Sequence, residues 1–184
     1  QILRMLANHP SFVMLTLGNE LHADPDGHTF MSVLLDEARV LDPTRLYANG
    51  SNVHYGMMGC DPHSDFYTSC NYYEYPLRAT NSGMNGWLNR QYPDTAVNYD
   101  RTVDEIRKIT SQPVISFEVG QYEVLPDFDE LSDFAGVTVP DNLNRIRNEA
   151  DRKGVLARWK ERVEASGELA LLCYRAEVEA TVGK

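Results

Sequence analysis

A chain of 184 residues, 42% hydrophobic and 24% charged, has the composition of an ordinary globular protein. Its formal net charge of −10 argues against a nucleic-acid partner, because phosphate binding wants a basic face. No apolar stretch approaches the ~20 residues of a membrane-spanning helix, and the three cysteines (Cys60, Cys70, Cys173) give neither a disulfide framework nor a zinc pattern.

Gln1 to Ala7 reads as the last turns of a helix, which suggests a fragment of a longer protein. Asn8-His9-Pro10-Ser11 is a turn, since Pro10 cannot continue a helix. Phe12–Leu17 is an apolar run of the kind buried in parallel sheets, the first predicted strand. Leu21–Gly27 reads as a loop. Thr29 is a candidate cap for a helix over about Phe30–Leu41, whose Met31, Leu34, Leu35, Ala38 and Leu41 follow helical spacing. Arg45–Asn49 is a second strand and Asp65–Tyr73, rich in aromatic and β-favouring residues, a third.

Glu74–Tyr99 carries Gly83, Gly86, Pro93 and several asparagines, and reads as a long irregular insertion of the kind that forms lids or binding loops. Val103–Thr110 is a helix, Pro113–Glu118 a fourth strand and Phe128–Phe134 a short helix. From Asn142 onward the chain reads as helical, with breaks at Gly154 and near Ser166-Gly167; the glutamates of Val163–Val182 read as a solvated helix face. Strands alternating with helices or long loops indicate a parallel sheet of α/β type. Four strands cannot close a barrel, so a barrel reading puts the missing strands outside this chain.

Two apolar runs end at a glutamate. FVMLTL leads through Gly18 and Asn19 to Glu20, and PVISF leads directly to Glu118. Carboxylates at the carboxyl ends of parallel strands sit where α/β barrels hold their catalytic groups. A pair of them flanking a glycosidic bond is the requirement of glycoside hydrolysis: about 5–5.5 Å apart for retention, about 6.5–9.5 Å for inversion. Asn19 supplies an amide for a sugar hydroxyl. For each glutamate alone the bland alternative is a polar residue opening a loop or capping a turn.

HPSFVMLTLGNE resembles the acid/base segment of glycoside hydrolase family 2, and QPVISFEVGQY resembles that family's nucleophile strand; PDFDEL and ELALLCYRAEVEA resemble its multi-domain bacterial members that degrade polysaccharides. The resemblance implies an α/β fold, a partial (β/α)₈ TIM barrel covering roughly strands four to seven with their helices. Residues 1–184 are then part of one catalytic domain whose remaining strands and β-sandwich domains are absent. It implies retaining, exo-acting chemistry on a carbohydrate substrate, with Glu20 as general acid/base and Glu118 as nucleophile. No cofactor and no metal are implied. Partners would be other domains of the same protein, with no nucleic acid and no membrane, and the location periplasmic or extracellular.

The same barrel group carries a tyrosine that donates to the nucleophile; Tyr72 is the best match, with Tyr73 close behind, and packing in the barrel wall is the alternative for either. His54 is a candidate pocket residue or a hydrogen-bonded strand end, and Trp87 a sugar-stacking aromatic or a loop anchor. The cluster His22, Asp24, Asp26 and His28 matches neither an EF-hand nor a zinc signature, and Pro25 and Gly27 suggest a turn. Two other functions compete: an endo-acting glycanase of the same barrel type, and an inactive carbohydrate-binding barrel fragment.

Overall fold

The computed structural model describes residues 1–21, 24–51, 61–80 and 86–182. The described elements are, in order, α1 (Ile2–Leu6), β1 (Met14–Thr16), α2 (Pro25–Leu41), β2 (Leu46–Ala48), β3 (Tyr67–Ser69), β4 (Asn71–Tyr72), β5 (Tyr75–Pro76), α3 (Asp100–Ile109), β6 (Val114–Ser116), α4 (Asp141–Arg152) and α5 (Trp159–Thr181). Single 3₁₀ segments lie at Trp87–Asn89, Phe128–Asp133 and Leu156–Arg158.

β1 pairs with β2 in parallel, Leu15 opposite Tyr47, and β3 pairs with β6 in parallel, Thr68 opposite Ile115. A single parallel bridge, Asn19–Ser51, extends the first pair, and a second, Ser51–Thr68, joins the two pairs. Four strands therefore lie side by side in the order β1, β2, β3, β6, all pointing the same way. Parallel neighbours need a long crossover, and α2 and α3 supply it for the two pairs. Asp65 ties β2 to the start of β3: its backbone N–H donates to the Tyr47 carbonyl at 2.7 Å, and its Oδ2 accepts from the Tyr47 N–H at 2.8 Å.

Two small apolar cores hold the helices against these strands. Leu35 and Ala38 of α2 pack on Tyr47, with Leu3, Leu15 and Leu17 around them. Ile106 of α3 packs on Tyr67 and Tyr72, with Val114 alongside. Burial raises the pKa of the Tyr47 phenol, whose O–H donates to the Asp42 carbonyl at 2.8 Å. Because side chains alternate along a strand, Leu46 and Ile115 point away from these cores and are 44% and 37% exposed, whereas Ala48 and Thr68, which also point away, are buried. The chain exposes 12007 Å², where a compact monomer of this mass exposes about 9000 Å².

Several elements depart from the sequence reading for identifiable reasons. α2 begins at Pro25, because Asp24 is its N-cap, accepting from the Gly27 N–H at 2.8 Å, and Pro25 fills the first helical position. Thr29 is therefore inside the helix, donating to the Pro25 carbonyl at 3.0 Å. The third predicted strand is interrupted at Cys70, and its end, β4, folds back on β5 as an antiparallel hairpin within the segment expected to be irregular. The helix after Tyr99 starts at Asp100. Gly154, at φ +69°, ends α4 as expected. Ser166-Gly167 does not break α5: the Ser166 hydroxyl bonds to the Val163 carbonyl at 2.8 Å and the helix runs on.

A glycine inside a continuous helix costs stability through backbone entropy. A Cβ at Gly167 would meet nothing within 4 Å. Gly167→Ala is expected to stabilise the protein by about 0.5–1 kcal/mol, seen as a raised denaturation midpoint; a lowered midpoint would contradict this account of α5.

Candidate active site

The bridges align the carboxyl ends of the four strands along one edge. Asn19, Ser51, Thr68 and Ile115 are successive lateral neighbours. At ~4.8 Å per strand, three steps separate the first and last backbones by roughly 14 Å along the sheet. Glu20 follows Asn19 directly and Glu118 lies three residues beyond Ile115, so both glutamates leave the sheet at the same edge.

Ser51 holds the first of these ends. Its N–H donates to the Gly18 carbonyl at 2.9 Å, and its carbonyl accepts from the Glu20 N–H at 3.0 Å. Its hydroxyl lies 3.0 Å from Asn19 Oδ1 and 3.3 Å from the Gly18 carbonyl. Donation to Oδ1 leaves the Asn19 amide N–H₂ for a ligand. The serine lies just beyond the second predicted strand, in Asn49-Gly50-Ser51-Asn52, which reads as a turn or strand-end loop, so nothing in the sequence marks it.

Both glutamates have left-handed backbone: φ is 52° at Glu20 and 53° at Glu118, and the one other described non-glycine residue with positive φ is Tyr73, at 51°. This conformation crowds Cβ against the backbone and costs roughly 1–2 kcal/mol per residue. Strained residues of this kind cluster at functional sites. The strain also has a geometric effect. Val114 packs on the helix side, and regular alternation would send residue 118 the same way. The left-handed turn at Glu118 ends that alternation.

Arg78 meets Glu118. The arginine is 6% exposed, and its Nη1 lies 3.2 Å from Glu118 Oε2, 3.3 Å from the Glu118 carbonyl and 3.4 Å from the Phe117 carbonyl. Its Nε donates to the Thr80 carbonyl at 2.7 Å. The buried guanidinium thus forms an ion pair with a half-exposed carboxylate and holds the turn that carries it. Arg78 lies within the segment read as an insertion, where a lone arginine gives no signal.

A second carboxylate lies beneath these loops. Glu177 of α5 is 1% exposed, so it does not belong to the solvated face that its neighbours suggested. Its Oε1 accepts from the Ala79 N–H at 2.6 Å, and its Oε2 accepts from the Tyr122 hydroxyl. Burial, then Glu177 itself, raises the Tyr122 pKa. The Tyr122 and Tyr174 rings meet edge to face, centroids 4.9 Å apart, and the Tyr174 hydroxyl donates to the Gly120 carbonyl. Gly120 has φ +83°, and a Cβ there would come within 2.2 Å of the Tyr174 ring.

The other sequence candidates divide. Tyr72 is 2% exposed and its ring is part of the core under α3, whereas Tyr73 is 42% exposed at the hairpin turn. Trp87 opens a 3₁₀ turn, and burial raises the pKa of the nearby Tyr99 phenol. His54 and His22 lie outside the described residues. Asp24 caps α2, and no group of three or more metal-binding side chains occurs among the described residues. Nor is any helix among them long and apolar enough to cross a membrane.

Glu20 and Glu118 are both open to solvent. Hollows of about 620 Å³ along α4 and about 570 Å³ between α3 and β6 are lined by other residues.

Glycine and alanine at the strained positions separate backbone strain from the loss of the carboxylate. At residue 20, and again at residue 118, the Gly variant is expected to be more stable than the Ala variant by about 1 kcal/mol, the reverse of their usual order. Denaturant midpoints measure the difference; equal midpoints, or a more stable Ala variant, would remove the strain.

Comparison with known family models finds none that matches the chain, and a search of curated proteins finds no match.

Proposed function

We propose that this chain is part of the catalytic barrel of a retaining, exo-acting β-glycosidase, with Glu118 as nucleophile and Glu20 as general acid/base. One observation carries the reading: two glutamates, each in a strained left-handed conformation, end two parallel strands three steps apart on one sheet edge. The resemblance of both segments to glycoside hydrolase family 2 supports it.

In this reading Glu118 attacks the anomeric carbon while Glu20 protonates the departing glycosidic oxygen. Glu20 then takes a proton from the water that releases the sugar from Glu118. Arg78 holds the carboxylate by a hydrogen bond before attack and again as it is released. The Asn19 amide, oriented by Ser51, binds a hydroxyl beside the reacting carbon.

The mechanism requires a curved sheet. Strand ends roughly 14 Å apart on a flat sheet cannot bring two carboxylates to the ~5–5.5 Å of a retaining pair. Barrel curvature turns both side chains toward a common axis. Two features agree with a barrel built partly from other strands. Leu46 and Ile115, whose side chains point away from the helical cores, are exposed, and the total surface exceeds that of a compact monomer. Added strands would cover those two side chains and complete a pocket around the glutamates.

The test uses the full-length protein and a panel of aryl β-glycosides. Glu118→Gln is expected to lower turnover by at least about 10³-fold with the fold intact by circular dichroism; ordinary turnover in that variant removes Glu118 from the nucleophile role. Glu20→Ala is expected to form the glycosyl-enzyme from substrates with good leaving groups, and then to stall. Added azide should attack the glycosyl–Glu118 ester, free the carboxylate and give a β-glycosyl azide. Absence of that product, with both steps equally slow, rejects Glu20 as the acid/base.

A further inference from the structure

We propose that Glu177 is a positioning residue for the nucleophile, a buried carboxylate on α5 that locks together the two loops carrying Arg78 and Glu118. The inference rests on Glu118 being the nucleophile. Glu177 bonds at Oε1 to the N–H of Ala79, the residue next to Arg78, and at Oε2 to the hydroxyl of Tyr122, four residues beyond Glu118. Arg78 in turn touches the Glu118 carboxylate and two carbonyls of the same turn. Tyr174, also on α5, fixes the Gly120 carbonyl in the stretch between. The loop after β6 is thus held from the arginine side and from the helix side at once.

The choice of a carboxylate is the informative point. The rest of the buried face of α5 is Ala170, Ala176 and Ala180, which asks only for small apolar packing. Burying a charge there is costly unless each oxygen is hydrogen-bonded. Both oxygens are bonded, one to each loop, so the group acts as a two-point connector that an apolar side chain of equal size cannot replace. The other ionisable groups that feel its charge, Tyr99, Tyr122 and Cys173, have their pKa raised first by burial and then by that charge, so they face it in neutral form.

A loosened connector lets Arg78 and the Glu118 turn shift against the sugar. Misplacement of about 1 Å costs on the order of 100-fold in rate, while substrate contacts made elsewhere keep KM nearly constant. The experiment measures kcat, KM and covalent trapping in the full-length protein carrying Glu177→Ala, Glu177→Gln or Tyr122→Phe, with Glu118→Gln alongside. Trapping uses a 2-deoxy-2-fluoro-β-glycosyl fluoride of the sugar that the aryl glycoside panel selects. A Glu118 oxygen bonds to the anomeric carbon as the carbon–fluorine bond breaks and fluoride leaves with the electron pair, and mass spectrometry reads the labelled peptide.

Glu177→Ala is expected to slow trapping and kcat by roughly 10- to 100-fold with KM little changed. Glu177→Gln, which keeps a carbonyl oxygen for the Ala79 N–H, should recover most of the loss, and Tyr122→Phe should fall between. If Glu177→Ala does not fold, the lowered kcat of Tyr122→Phe at unchanged KM carries the same prediction. Normal kcat and trapping in the folded variants, beside an inert Glu118→Gln, overturn the inference, and so does a loss of stability with kcat unchanged. Ordinary turnover in Glu118→Gln would instead overturn the reading on which it rests.

Discussion

Parallel backbone pairing is the constraint from which the site follows. Leu15 opposite Tyr47 and Thr68 opposite Ile115, joined through Ser51, make four strands point the same way. Their carboxyl ends then fall on one edge whatever side chains they carry. A parallel pair also demands a crossover, and α2 and α3 each cover the strands they connect with a few apolar residues.

On that edge, polar contacts take over from packing. Ser51 uses its backbone and hydroxyl on Gly18, Asn19 and Glu20. Arg78 reaches the Glu118 turn from the neighbouring strand's loop, and Glu177 reaches both from a helix near the end of the chain. The contacts hold backbone conformations that are unfavourable for glutamate. Such strain persists only where the surroundings over-determine the geometry, and the bonds of Ser51, Arg78 and Glu177 provide that excess at the two strand ends. The expense of burying Arg78 and Glu177 is offset by hydrogen bonds to each polar end.

The buried face of α5 shows how little of this is written locally. Its glutamates all read as a solvated face, because charge on an amphipathic helix usually faces water. Glu177 differs because the loops after β5 and β6 bring an N–H and a hydroxyl to its place. Likewise Tyr72 and Tyr73 are adjacent and chemically identical, yet the hairpin turn puts one in the core and the other in water. Alternation along the strand determines which is which, and only the position of α3 defines the inner side.

The parallel strands, the helices between them and the two glutamates at strand ends were legible from sequence, though not the β4–β5 hairpin, because apolar runs, helical spacing and Pro-Gly punctuation are short-range signals. The start of α2 was also written there, in Asp24-Pro25, although Thr29 offered a competing cap. Tertiary structure alone decided the left-handed turns at Glu20 and Glu118, the partnership of Arg78 with Glu118 and the burial of Glu177. Those features join residues 40 and 98 positions apart. A local pattern cannot encode which distant donor arrives; chain packing fixes that only once the strands are paired.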